Sequence, residues 1–239
     1  MNKLYVVGIG PGSKENMTFK AVDAIKEADT IVAYTKYLDY VEDFIGGKEI
    51  IKTGMTGEKE RCQLAIDEYH KGKTVAIIST GDSGLYGMAG LVYEIDPSIN
   101  IEVVPGVSAA FSSASVVGAP LMHDTALISL SDLLTDWDLI LKRVRNCADA
   151  DMVIALYNPK SKKRVNNLKE ALDIIREYRD AKTPIAMVKN ALREGMDYRI
   201  STLDDVDYDF CEMNTTVIIG NSQSYIKNDK FITPRGYKL

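Results

Sequence analysis

The sequence predicts an α/β protein of two αβα domains, the first built on a mostly parallel sheet and the second on a mixed one. Three observations carry that expectation. Short apolar runs alternate with amphipathic stretches of helical period, as βα units require. Glycine-rich turns close three of those runs, at Gly8-Ile9-Gly10-Pro11-Gly12, at Thr80-Gly81-Asp82-Ser83-Gly84 and at Pro105-Gly106-Val107-Ser108-Ala109. A break at Gly118-Ala119-Pro120-Leu121 separates the halves, and a hairpin signal is found only beyond it. In an open α/β sheet the carboxyl ends of the strands share one edge, so the three turns can line one crevice. Domains of residues 1–118 and 119–239 follow, with a ligand cleft expected between them.

Taken in order, residues 4–9 are an apolar run bounded by glycine, the pattern of a strand buried on both faces. Thr18 is placed to cap a helix whose Ala21, Val22, Ala24, Ile25 and Ala28 recur at helical spacing. Strands are expected at 30–34 and 49–52, then a helix at 58–71 with Cys62, Ala65, Ile66 and Tyr69 on its apolar face. A strand at 73–79 runs through the second glycine turn into a helix at 85–94, with Asp82 or Ser83 available as its cap. A strand at 101–104 and a small-residue helix at 107–117 complete the first domain. The rhythm resumes with strands at 126–130 and 152–157, helices at 136–147 and 163–178, and strands at 185–189 and 215–219. Residues 198–201 read as one arm of a hairpin, which makes the second sheet mixed.

The chain of 239 residues has ordinary globular composition, 46% hydrophobic and 26% charged, so it folds as one large or two modest domains. A formal net charge of −5 excludes the broad basic footprint of a nucleic-acid module. The one local basic cluster is Lys160, Lys162, Lys163 and Arg164. Three widely spaced cysteines and two histidines make neither a disulfide framework nor a zinc site, so no metal is expected. No apolar run approaches the roughly 20 residues of a membrane span. The first residues read as a strand and not as a secretory signal, so a cytoplasmic location is expected.

Two familiar nucleotide motifs fail here. The dinucleotide fingerprint needs a third glycine where Ser13 stands, and an acidic residue after the second strand, where Tyr34-Thr35-Lys36 stands. A P-loop fails because no Gly-Lys-Ser/Thr follows either turn.

The three glycine turns together, with Val103-Val104 leading into the last and the proline hinge after it, resemble the tetrapyrrole methylases. These are S-adenosylmethionine-dependent enzymes of cobalamin and sirohaem synthesis, and the resemblance covers nearly the whole chain. Within that family, several segments are similar to the branch that methylates C17 of precorrin-3B or cobalt-factor III and contracts the ring. They are residues 118–121, His123-Asp124, Ile128-Ser129-Leu130-Ser131-Asp132-Leu133-Leu134-Thr135, residues 156–162 and residues 189–195. Alternatives are another tetrapyrrole methylase, such as a precorrin-4 C11-methyltransferase, or a non-enzymatic tetrapyrrole or nucleotide carrier.

The resemblance implies cofactor contacts from Pro11, Thr80, Gly81, Asp82, Leu85, Ser108 and Ala109, and from Asn158, Ala191, Thr215 and Thr216. It also implies a tetrapyrrole substrate, and a homodimer is expected. Two departures stand out: Thr35 replaces an Asp that some relatives carry as a proposed base, and Asp136 replaces a common proline before Trp137. Methyl transfer from a sulfonium is dominated by positioning, whereas ring contraction needs proton transfers. His123, just past the hinge, and Asp132 are the candidate acid–base groups. Ser129, Ser131, Lys160 and Arg164 are candidate partners for the pyrrole N–H and carboxylate groups of a substrate.

Overall fold

The computed structural model describes residues 2–238. It divides into two compact units, residues 1–109 and residues 110–239.

In the first unit, β1 (Leu4–Gly8) leads through the glycine turn to α1 (Phe19–Glu27) and β2 (Thr30–Tyr34). There follow β3 (Glu49–Thr53), α2 (Glu58–His70), β4 (Val75–Ser79), α3 (Ala89–Ile95) and β5 (Ile101–Val104). The strands form one sheet in the order β3-β2-β4-β1-β5, every pair parallel. Alternate side chains enter two cores. Tyr5, Val7, Ile31, Ala33, Ala76 and Ile78 pack with Ala21, Ala24 and Ile25 of α1 on one face. Leu4, Val6, Val32, Val75 and Ile77 pack with Cys62, Ala65 and Ile66 of α2 and Ala89 and Val92 of α3 on the other. Helices on both faces explain why β1 and β4 are apolar at nearly every position. Thr18 caps α1 as its sequence predicts, its hydroxyl oxygen accepting from Ala21 N at 3.1 Å.

The second unit opens with α4 (Ala109–Val117), the two-residue β6 (Gly118–Ala119), β7 (Thr125–Ser129), α5 (Trp137–Asp149) and β8 (Val153–Tyr157). It continues with α6 (Asn167–Arg176), β9 (Pro184–Lys189), β10 (Asp197–Thr202), β11 (Thr215–Ile219), β12 (Tyr225–Lys227) and β13 (Lys230–Ile232). Its main sheet runs β10-β9-β11-β8-β7. Only β7 and β8 are parallel, so the sheet is mixed. Helices α5 and α6 cover one face through Ile140, Val144, Leu168, Leu172 and Ile175. Ala110, Ala114 and Val117 of α4 join Val153, Ala155, Ala186, Val188, Ile218 and Phe231 on the other.

Helix α4 therefore packs within the second unit, and the division falls at its start and not at the Gly118-Ala119-Pro120 break. Its i, i+4, i+7 apolar stripe decides this, and the Tyr157 hydroxyl accepts from Ala110 N at 3.1 Å. A small third sheet, β12-β13-β6, is a further element absent from the sequence expectation. Two helices start later than their periodicity suggests. α3 begins at Ala89 because Asp82 and the glycines hold residues 83–88 in bends, and α6 begins at Asn167 because Ser161 closes a turn over Lys163 and Arg164.

Candidate functional site

At the carboxyl edge of the first sheet the three glycine turns interlock. Ile9 N donates to Ser79 O at 2.9 Å, and Gly10 and Gly81 exchange backbone hydrogen bonds at 3.1 and 2.7 Å. Ser83, fully buried, donates its hydroxyl at 3.0 Å to Val6 O and has Val104 O at 3.1 Å, bridging β1 and β5. Asp82 straps the assembly. Its Oδ1 accepts from Gly84 N and Leu85 N at 2.9 and 3.0 Å, and its Oδ2 from Gly106 N at 3.0 Å. The Asp82 carboxylate thus satisfies backbone donors of two turns, those of Gly84 and Leu85 and that of Gly106.

The glycines divide into two kinds. A Cβ on Gly106 would sit 2.2 Å from Gly81 O and 2.5 Å from Gly8 O, and one on Gly8 2.8 Å from Gly106 N. These positions are closed by the fold itself. Gly106→Ala should therefore lower the unfolding free energy by about 3 kcal/mol or more through forced backbone displacement, measurable by denaturant titration. A midpoint equal to the parent's would mean the turns are not so tightly stacked. Gly81 differs: it has φ +68°, and a Cβ there meets nothing nearer than Ala109 N at 3.9 Å. Space for a ligand atom lies against the Gly81 backbone. Pro11 and Ser108 are buried beside these turns, while Thr80, Leu85 and Ala109 are partly exposed. Gly81, open on its Cβ side, and its small neighbours form a cradle at this edge.

The second unit presents its own strand-edge cluster. The ends of β7, β8 and β9 and the start of β11 lie on one edge, since Ser129 is level with Tyr157 and Thr215 with Lys189. This brings together Ser129, Asn158, Ala191, Thr215 and Thr216, the last three buried. Asn158 has φ +53° and its amide donates to Ser129 Oγ at 3.0 Å, while Ser131 N donates to the same oxygen at 3.2 Å. Arg164 Nη1 donates to Ser131 Oγ at 3.2 Å and lies 3.6 Å from Asp132 Oδ1. The Arg164 side chain is 11% exposed, and its Nε is buried without a partner among the described residues. Ser129, Ser131, Asp132, Asn158 and Arg164 are thus one connected group. Lys160 departs from it, its Nζ donating to Tyr208 O at 3.3 Å. His123 is exposed on the loop before β7, where its carbonyl accepts from Thr125 Oγ1 at 2.9 Å.

Positive φ angles mark residues the sequence did not single out, namely Asn190 at +46°, Leu192 at +59° and Tyr86 at +55°. Asn directly after a strand is a readable signal for the left-handed region, but Leu and Tyr carry none. Burial pushes the Cys62 thiol up to about 11 and the Cys211 thiol to about 12, and raises that of the half-buried Cys147 as well, so none of the three is primed as a nucleophile. Among the described residues no group of three or more His, Cys, Asp or Glu side chains is placed to hold a metal. Among the same described residues no helix is long and apolar enough to cross a membrane.

Residues 3–207 match the family model of the tetrapyrrole (corrin/porphyrin) methylases. The chain is 46% identical to the cobalt-factor III methyltransferase of Priestia megaterium, over 99% of this chain but only 45% of that longer protein. It is 45% identical to the probable cobalt-factor III C(17)-methyltransferase of Salmonella typhimurium, over 99% of this chain and 100% of that one. Among solved structures, the methyltransferase CobJ superposes with a TM-score of 0.91 at 29% identity, covering 98% of this chain and 100% of that chain.

Proposed function

Because the chain belongs to the tetrapyrrole (corrin/porphyrin) methylases, we propose that it is an S-adenosylmethionine-dependent C17-methyltransferase. It acts on cobalt-factor III or precorrin-3B with ring contraction, in cobalamin synthesis. The observation that carries the proposal is the cradle beside Gly81, in a chain matched along its whole length to a relative named for that reaction. When bound, the cofactor supplies an electrophilic methyl group on a sulfonium and leaves as S-adenosylhomocysteine.

The work of this chain's residues is then positional and acid–base. Pro11, Thr80, Gly81, Leu85, Ser108 and Ala109 hold the cofactor in the first unit, with Asp82 fixing the turn that presents them. Asn158, Ala191, Thr215 and Thr216 are its proposed contacts in the second. Ser129, Ser131 and Arg164 orient the macrocycle, Arg164 through its unsatisfied Nε toward a peripheral carboxylate. Lys160, already bonded to Tyr208 O, is kept for a carboxylate farther along the rim. His123, or Asp132 beside Arg164, exchanges the proton that ring contraction requires. A homodimer and a cytoplasmic location are part of the same proposal.

Incubation with S-adenosylmethionine and either cobalt-factor III or precorrin-3B tests it, with product mass and absorbance recorded. A methylated, ring-contracted product from one of the two is expected. Binding of the cofactor with no methyl transfer to either macrocycle would overturn the assignment of substrate.

A further inference from the structure

Among the described residues, the charged side chains that are buried are Arg61, Glu68 and Arg179. Two of them have counter-ions: Glu68 is bracketed by Lys71 and Lys73, and Arg179 lies 3.2 Å from Asp151. Arg61, near the start of α2 and 3% exposed, makes no ion pair with any described residue, and its acidic neighbours Glu58 and Glu60 are exposed.

Neutral groups alone hold its guanidinium. Nε donates to Thr53 Oγ1 at 2.8 Å, Nη2 to Gly54 O at 2.7 Å and Nη1 to Met88 Sδ at 3.5 Å. A thioether is a weak acceptor, and the remaining guanidinium N–H groups find no partner among the described residues. These contacts put the charge at the carboxyl edge of the first sheet. Tyr34, whose ring centre is 6.0 Å from the guanidinium carbon, ends β2 level with Thr53 at the end of β3, on the edge that Gly8 and Ser79 share. Gly54 is exposed, and a Cβ on it would meet nothing within 4 Å. The guanidinium thus ends against an open stretch of this edge on the β3 side of β4, whereas Asp82 and Gly106 close the β5 side.

A buried charge without a counter-ion costs folding free energy, and an anion that reaches it finds the desolvation of the cation already met. A planar fork of donors suits a carboxylate. We propose that Arg61 anchors a ligand carboxylate at the β2–β3 end of this edge. This rests on the methyltransferase reading and adds a binding residue to it. That reaction brings two sources of the group, the peripheral carboxylates of the macrocycle and the amino-acid end of the cofactor.

Calorimetry on the full chain tests it in Arg61→Met and Arg61→Lys. The ligands are cobalt-factor III, S-adenosylhomocysteine and methylthioadenosine, a cofactor fragment with no carboxylate. Arg61→Met is expected to bind a carboxylate ligand about tenfold to a hundredfold more weakly, while its affinity for methylthioadenosine stays within about twofold of the parent's. A loss confined to cobalt-factor III assigns the macrocycle's carboxylate, and a loss for S-adenosylhomocysteine assigns the cofactor's. Arg61→Lys, which keeps the charge without the fork, falls between. The unfolding midpoint without ligand stays within about 3 °C of the parent's or rises, because the methionine variant removes a charge that the fold alone does not compensate. Unchanged affinity for both carboxylate ligands overturns the proposal while leaving the enzymatic reading intact. Weakened methylthioadenosine binding with a lowered midpoint overturns it too, and makes Arg61 a clamp on Thr53 and Gly54. If the parent protein binds neither S-adenosylhomocysteine nor cobalt-factor III, the reading beneath it fails.

Discussion

Replacing Gly81 with valine is expected to abolish binding of S-adenosylhomocysteine while the protein stays folded. The two halves of that result have separate causes. At φ +68° a branched residue is strained, a cost of about 1–3 kcal/mol that a domain stable by about 5–15 kcal/mol survives. Apart from the chain neighbours, the nearest atom to the position of a Cβ is Ala109 N at 3.9 Å, so the new side chain projects away from the packed turn, into the space where the proposed site would hold the cofactor. Calorimetry should show affinity reduced by at least about a hundredfold, near 2.7 kcal/mol, with circular dichroism unchanged. Gly81→Ala, with a smaller group in the same place, should fall between. A folded valine variant with the parent's affinity would make Gly81 a turn residue only.

His123→Ala is expected to keep the affinity for cofactor and lose contracted product by about two to four orders of magnitude in rate, the usual contribution of a general acid–base group. The imidazole is exposed, so stability should change little. If methylation precedes proton transfer, an uncontracted methylated macrocycle accumulates and is identified by mass and absorbance. Parent-like rates of contracted product would leave His123 as a surface residue. They would turn attention to Asp132, and to Thr35, whose hydroxyl donates to Thr53 O at 3.2 Å.

The fold was largely legible because its strands are short, apolar and punctuated by glycine. Residues 30–34, 101–104 and 215–219 have the bounds their sequence predicts. What escaped depends on tertiary partners. Helix α4 is rich in Ala and Ser, and such a surface can pack against either sheet; its packing with Val153, Ala186, Ile218 and Phe231 and the bond to the Tyr157 hydroxyl assign it. The hairpin of β12 and β13 is short and mostly exposed, without the apolar alternation that marks a strand, although Asn228-Asp229, both at positive φ, carried its turn signal.

At the site, glycine identity exposed the three turns, but not which glycines are closed by the fold and which are open to a ligand. That distinction is a matter of atoms brought together from Gly8, Gly81 and Gly106. Asp82 was expected as a cofactor contact, with a helix cap as the lesser reading, and its carboxylate straps two turns together. The basic run at 160–164 read as one patch. Ser161 turns the chain there, so that Arg164 joins Ser131 and Asp132 while Lys160 serves Tyr208.

The pairing of β6 with β13 makes the order of synthesis an order of assembly. All five strands of the first sheet are complete once Val104 has emerged, so that unit can finish folding while the rest of the chain is still being made. The second cannot. Gly118, whose close approach to Phe231 O leaves no room for a Cβ, waits for the last described strand, and Phe231 is the last residue to join the apolar cluster of Ala110, Ala114 and Val117. Until then the nascent protein carries one finished half and one half whose core beneath α4 still lacks its last apolar member.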